Sequence, residues 1–79
     1  ERAELSEKIH LAIDSLPEKC KAIFVDACIE ECSYVEVAQK YDLSVNTVKV
    51  QVSKAYRILR EKLTKEQFSI FLLIFLKSE

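Results

Sequence analysis

Ser33 to Leu63, SYVEVAQKYDLSVNTVKVQVSKAYRILREKL, is the stretch from which the rest of the chain can be read. Two capping signals divide it. Ser33 with Glu36 three residues on is a capping box, and Ser44 opens the next periodic run with Thr47 at the equivalent position. One short helix is therefore expected to end near Tyr41 and a long one to start near Ser44. Tyr41, Asp42 and Leu43 form the turn between them, while Val37, Ala38, Leu43, Val48 and Val52 supply the apolar contacts that hold two crossed helices together. The small Ala38 allows close approach. The pattern is a helix-turn-helix over residues 33–63.

The long helix has two faces. Val45, Val48, Val52, Ala55, Tyr56, Leu59 and Leu63 follow the three-and-four spacing of a buried stripe. The opposite face carries Asn46, Val50, Ser53, Lys54 and Arg57, with Thr47 and Lys49 on its flanks, and it is the face that would enter a DNA groove. Helix propensity is poor at the start, because Val45, Thr47, Val48, Val50 and Val52 are β-branched and lose rotamer freedom in a helix. Tertiary packing must hold this helix in place.

Outward from this motif the chain reads as all-α: a small domain of four to five helices, with an additional apolar helix at the C-terminus. It has no Gly, one Pro and no alternating run of strand length. Leu5, Ile9, Ile13 and Leu16 mark a first helix. Pro17 ends it and starts the next, with Ser15 and Glu18 as a further capping box. The second helix carries Cys20, Ile23, Phe24, Ala27 and Cys28 on one side and should end near Glu31. Thr64 with Gln67 opens the last helix, Lys65 to about Lys77, within residues 64–78. Phe68, Ile70, Phe71, Leu72, Leu73, Ile74, Phe75 and Leu76 make it apolar around nearly its whole circumference. The run is far short of the roughly 20 residues that span a bilayer, so no membrane partner is expected. A helix apolar all round must be covered on more than one side. The core of a domain this small can cover one face, so the other, with Phe68, Phe71, Leu72 and Phe75, is expected to meet a second copy of the chain, a protein partner or another domain, the alternative being a tail that folds entirely into its own core.

With 79 residues, 49% of them apolar, the chain can build one core, and disorder is not expected. The absence of Met suggests a fragment of a longer protein or a processed product, and a fragment is the reading expected here. No secretory leader is visible, and an odd count of three cysteines speaks against a disulfide framework and for a reducing cytoplasm. A net charge of −1 is unpromising for nucleic acid until it is divided along the chain. Residues 1–42 hold ten acids against five bases, and residues 43–79 seven bases against three acids. Within the long helix Lys49, Lys54, Arg57, Arg60 and Lys62 face one acid, Glu61. The body is acidic and the edge is basic, and the edge is the groove-facing helix.

Neither a metal site nor an enzyme is indicated. Cys20, Cys28, Cys32 and His10 form no CxxC or HxxxH pair, and small apolar filler is the better reading of the cysteines. A lone His beside scattered carboxylates lacks the nucleophile, base and orienting group that catalysis requires. No cofactor is expected.

The segments LPEKCKAIF and SYVEVAQKYDLSVNTVKVQVSKAYRILREKL together resemble the C-terminal domain, region four, of bacterial extracytoplasmic-function sigma factors, most of all the type abundant in Bacteroidetes. The resemblance covers about Leu16 to Leu63. It rests on Leu16-Pro17-Glu18-Lys19, on Ser33-Tyr34 leading into Val37-Ala38, and on Ser44, Thr47-Val48-Lys49 and Ser53-Lys54-Ala55 in that order. It implies a transcription initiation subunit that reads the upstream, minus-thirty-five promoter element through its second motif helix and docks on the flap of the RNA polymerase β subunit. A separate N-terminal domain would melt the downstream element, and an anti-sigma factor is the expected regulatory partner. The polymerase, the anti-sigma factor and that domain are the partners it implies for the open face of the last helix. The family often has Gly at the turn between the motif helices and just after the preceding helix. Asp42 and Glu31 stand there in this chain. A left-handed backbone at a non-Gly residue costs roughly 1 to 2 kcal/mol, with Asp better tolerated than Glu.

The expected DNA contacts divide by type. Ser44 and Thr47, at a helix N-terminus, position a phosphate, although Ser44 is an N-cap in either case. Lys49, Lys54 and Arg57 neutralise phosphates or reach base edges, with Ser53 beside them. Asn46 can pair with an adenine edge and Val50 can touch a thymine methyl group, each being nearly as readily a merely exposed residue. Lys40 and Arg60 are backbone contacts at most. Two other classes stay open: the helix-turn-helix output domain of a dimeric transcriptional activator, and a protein-interaction module that works through the apolar C-terminal helix.

Overall fold

A computed structural model describes residues 2–75, with side chains over residues 5–73. Its elements are α1 (Arg2–Asp14), α2 (Glu18–Phe24), a π-helical turn (Val25–Ile29), α3 (Tyr34–Tyr41), α4 (Val45–Lys62) and α5 (Lys65–Phe75). No strand occurs among the described residues, as the periodicity implied.

Local chemistry sets most boundaries. At α3 the Ser33 hydroxyl accepts from the Glu36 N–H at 3.0 Å, and the Glu36 carboxylate accepts from the Ser33 N–H at 2.9 Å. Thr64 and Gln67 exchange the same two bonds at 3.0 Å each ahead of α5. Ser44 caps α4 by accepting from the Thr47 N–H at 3.0 Å. Each bond satisfies a backbone group that a helix end leaves without an intrahelical partner. The capping box expected of Ser15 and Glu18 does not form. Pro17 is the N-cap of α2 and no side chain caps it, because the Ser15 hydroxyl turns back to the Ala12 carbonyl at 2.6 Å.

The second helix does not end as a simple α-helix. It widens into the π-helical turn, where the Glu30 N–H reaches the Val25 carbonyl at 2.8 Å and the Cys32 N–H the Asp26 carbonyl at 2.9 Å. Glu31 then takes φ 62°, and Asp42, between α3 and α4, takes φ 57°. Both positions that the family often fills with Gly are thus left-handed here. At Asp42 the cost is offset locally, since the Leu43 N–H closes back on the Ala38 carbonyl at 2.8 Å.

One core joins all five helices. Phe24 and Phe71, neither exposed at all, stack with ring centroids 6.0 Å apart, and Tyr56 meets Phe24 edge-on at 5.6 Å. Ile9, Ile23, Val37, Val48, Val52, Ala55, Leu59 and Leu63 are among the other buried residues, so the stripe anticipated for α4 is the stripe that packs. Here the expectation for the last helix needs correction. Phe71 is not a partner-facing residue: it is buried in the chain's own core, against the rings of Phe24 and Phe68. Phe68 and Leu72 are half-buried against the same cluster, while Leu73 is 76% exposed. The Phe75 side chain lies outside the described residues, as does the stretch from 76 to Lys77. No helix among the described residues is long and apolar enough to cross a membrane.

Candidate nucleic-acid interface

The exposed face of α4 is held by contacts behind it. The Cys20 thiol on α2 donates to the Gln51 carbonyl of α4 at 3.4 Å. The Cys28 thiol, on the π-helical turn, lies 3.3 Å from the Tyr56 hydroxyl on α4. Burial pushes both thiols up from their ordinary range; a nearby Lys54 charge opposes the shift at Cys20, and the Tyr56 hydrogen bond opposes it at Cys28. Tyr56 is likewise raised, first by burial and then by its bond to Cys28. These thiols stay protonated and serve as small, weakly polar filler. Among the described residues no three of His, Cys, Asp and Glu come together as a metal site.

A second tie sets the angle of α3. The Asp26 carboxylate accepts from the Tyr41 hydroxyl at 2.6 Å and from Lys40 Nζ at 3.0 Å, joining the π-helical turn to the end of the first motif helix. The Tyr41 hydrogen bond holds the Asp26 carboxyl below its usual range against the opposing effect of burial, and Lys40 adds to the lowering. The same contacts raise Lys40 and Tyr41. Sequence reasoning missed Asp26, which has no local signal: its partners lie 14 and 15 residues away. Lys40, expected at most to touch a DNA backbone, is already engaged by Asp26.

Of the residues expected at DNA, Asn46, Lys49, Val50, Ser53 and Arg57 are exposed and Thr47 and Lys54 half-buried. Lys49, Val50, Ser53, Lys54 and Arg57 line one shallow depression. Ser44, Asn46 and Thr47 sit apart from it, at the start of the helix. The Ser44 hydroxyl is committed twice, accepting from the Thr47 N–H and donating to Thr47 Oγ1 at 2.9 Å, so capping is its established part. Lys49, Lys54 and Arg57 have no carboxylate partner among the described residues, whereas Lys21 is paired with Asp14 at 2.7 Å and Lys40 with Asp26. Three unneutralised cations on one helix face, over a largely acidic body, favour a polyanion at this face.

The family described as Sigma-70, region 4 matches residues 6–59, which takes in most of α1 and runs into the last turns of α4; α5 lies beyond the match. The chain is similar to the RNA polymerase sigma factor SigV of Bacillus subtilis (strain 168), with 34% identity over 61 residues. That alignment covers 77% of this chain and 37% of the relative, so the chain spans little more than a third of the length of the protein it matches. No solved structure gives a significant match.

Proposed function

The chain belongs to the sigma-70 region 4 family, and on that premise we propose that it recognises the upstream, minus-thirty-five promoter element with α4 and docks on the β flap of RNA polymerase. The single observation that carries the DNA part is the cationic trio Lys49, Lys54 and Arg57, without a carboxylate partner among the described residues, around one depression on the exposed face of the second motif helix. Under this reading Ser44, Asn46 and Thr47 meet the backbone or base edges at the helix start, and Ser53 stands between the cations. The chain acts as one domain of a longer cytoplasmic protein, with the helix-turn-helix over residues 33–63. A second domain of that protein handles the downstream promoter element, and an anti-sigma factor controls its access to polymerase. The family is a DNA-binding one and no catalytic step is proposed.

A narrower partner surface on α5 goes with this reading. Half-buried Phe68 and Leu72 and exposed Leu73 leave an apolar strip for a second copy or a protein partner, with Phe71 removed from that role by its burial. The test of the main reading has two arms. Titration with a β-flap fragment should give specific binding, and Lys54→Glu with Arg57→Glu should abolish promoter recognition while leaving flap binding intact. Failure of flap binding together with dimeric binding to a symmetric duplex would favour an ordinary activator. Insensitivity of every interaction to the charge reversal would favour a module that works through α5.

A further inference from the structure

Phe24 and Phe71 stack in one core but belong to different parts of the chain. Phe24 lies within the stretch matched to the family, and Phe71 lies on α5, beyond it. An apolar seat of the family domain is thus covered by a helix that the match does not include. That helix is held by apolar contact. Among the described residues its side-chain hydrogen bonds are those of its own cap, Thr64 with Gln67, and no ion pair ties it to the other helices. By contrast, α3 and α4 are anchored through the Asp26 carboxylate and the Cys20 and Cys28 thiols. Because the cap travels with α5, the start of that helix stays satisfied when it leaves the seat, and Leu63, extended at φ −103° and ψ 152°, is the joint before it.

The flank of the seat is open. Between α1 and the start of α5 runs a groove of about 440 Å³, lined by Lys8, Leu11, Ala12, Lys62, Leu63 and Gln67. Leu11 is 61% exposed there, and neither lysine has a carboxylate partner among the described residues. The other exposed large apolar side chains of the matched stretch are Val35, in the capped first turn of α3, and Val50, among the cations of α4. The seat under α5, with the groove beside it, is therefore the extended apolar surface that the matched stretch can offer a protein.

We propose that α5 is an autoinhibitory strap: it occupies in cis the seat into which an amphipathic helix of RNA polymerase docks, and that helix must displace it. The inference rests on the polymerase-docking reading above and adds its regulation. α5 itself shows what fits the seat, a helix that sets an aromatic ring on Phe24. Lys8 and Lys62 favour a helix with acidic residues beside its apolar face. Strap and partner compete for one surface, so the affinity seen for the partner is its intrinsic affinity multiplied by the fraction of molecules with α5 lifted.

Hydrogen exchange on the full-length protein, with and without a β-flap fragment, tests the parent directly. Bound fragment should speed exchange of the α5 amides while those of α1 and α4 slow. Phe71→Ala takes the ring off the seat and should bind the fragment about a hundredfold more tightly than the parent, the ratio for a strap lifted in about one parent molecule in a hundred and in nearly all of the variant. Phe71→Leu keeps an apolar side chain and should show a smaller gain, which serves should the alanine variant not fold. α5 amides that keep or gain protection in the complex overturn the strap and leave polymerase docking standing, as does a folded variant that binds no more tightly than the parent. Absence of fragment binding by the parent and both variants overturns both.

Discussion

The Tyr41 hydroxyl donates to the Asp26 carboxylate at 2.6 Å, tying the last residue of α3 to the π-helical turn that precedes it. The bond spans 15 residues and fixes α3 from outside the helix-turn-helix itself. Through α3 it sets the platform on which α4 is presented. Tyr41→Phe leaves the ring and removes the donor, and should destabilise the fold by about 1 kcal/mol, below the usual range for hydrogen bonds to charged groups because the pair is only partly buried. Chemical denaturation of the two proteins measures it. Lys40→Ala should change stability little, since that side chain is largely exposed.

The same carboxylate gives a pH dependence of known sign. Asp26 is held below its ordinary value of 3.8 in the folded chain, so folding favours the ionised form. Its contribution is complete above that ordinary value and is lost as pH falls through the lower folded value. The stability gap between parent and Asp26→Asn should therefore be constant from neutral pH down to about pH 5 and shrink below about pH 4. Urea midpoints across that range give the answer, and a gap that widens on acidification contradicts the assignment.

Phe71 and Leu73 are two residues apart on an apolar helix and should behave in opposite ways. Phe71→Ala empties a fully buried position stacked on Phe24 and should cost about 3 to 5 kcal/mol. Leu73→Glu lies on the open side and should stay within about 0.5 kcal/mol of the parent. If α5 joins two copies, sedimentation should show the parent associating and Leu73→Glu monomeric at equal concentration.

Left-handed Glu31 and Asp42 are sites where a Gly should stabilise. Relief of the Cβ clash is partly offset by the greater freedom of Gly in the unfolded chain. Glu31→Gly should therefore raise stability by up to about 1 kcal/mol and Asp42→Gly by less, because Asp tolerates this conformation better. Thermal melts of the two variants rank them.

Phosphate contacts by the cationic face predict a salt dependence. Removing one contacting cation, as in Lys49→Ala, should lower the slope of log affinity against log salt for the promoter duplex by about 0.9. Ser44→Ala removes a cap and should cost about 1 kcal/mol of stability, with no matching change in that slope. Titrations at several salt concentrations separate the two effects.

The sequence alone carried what local chemistry decides. Ser33, Ser44 and Thr64 cap helices because their hydroxyls reach backbone N–H groups three residues on, and the α4 stripe packs because its spacing matches the helix repeat. The cationic face is legible for the same reason, being the side that the stripe leaves over. The tertiary structure decided what depends on residues far apart in the chain. Hydropathy says that Phe71 must be covered but not by what, and only the position of Phe24, far away in the chain, places it inside. Asp26 looked like any surface acid until Tyr41 and Lys40 were brought to it, and Lys40 looked free until it was paired. The Ser15 cap failed because a nearer acceptor, the Ala12 carbonyl, took its hydroxyl. A periodic pattern records which face of a helix is buried; what buries it is set by how the chain brings distant helices together.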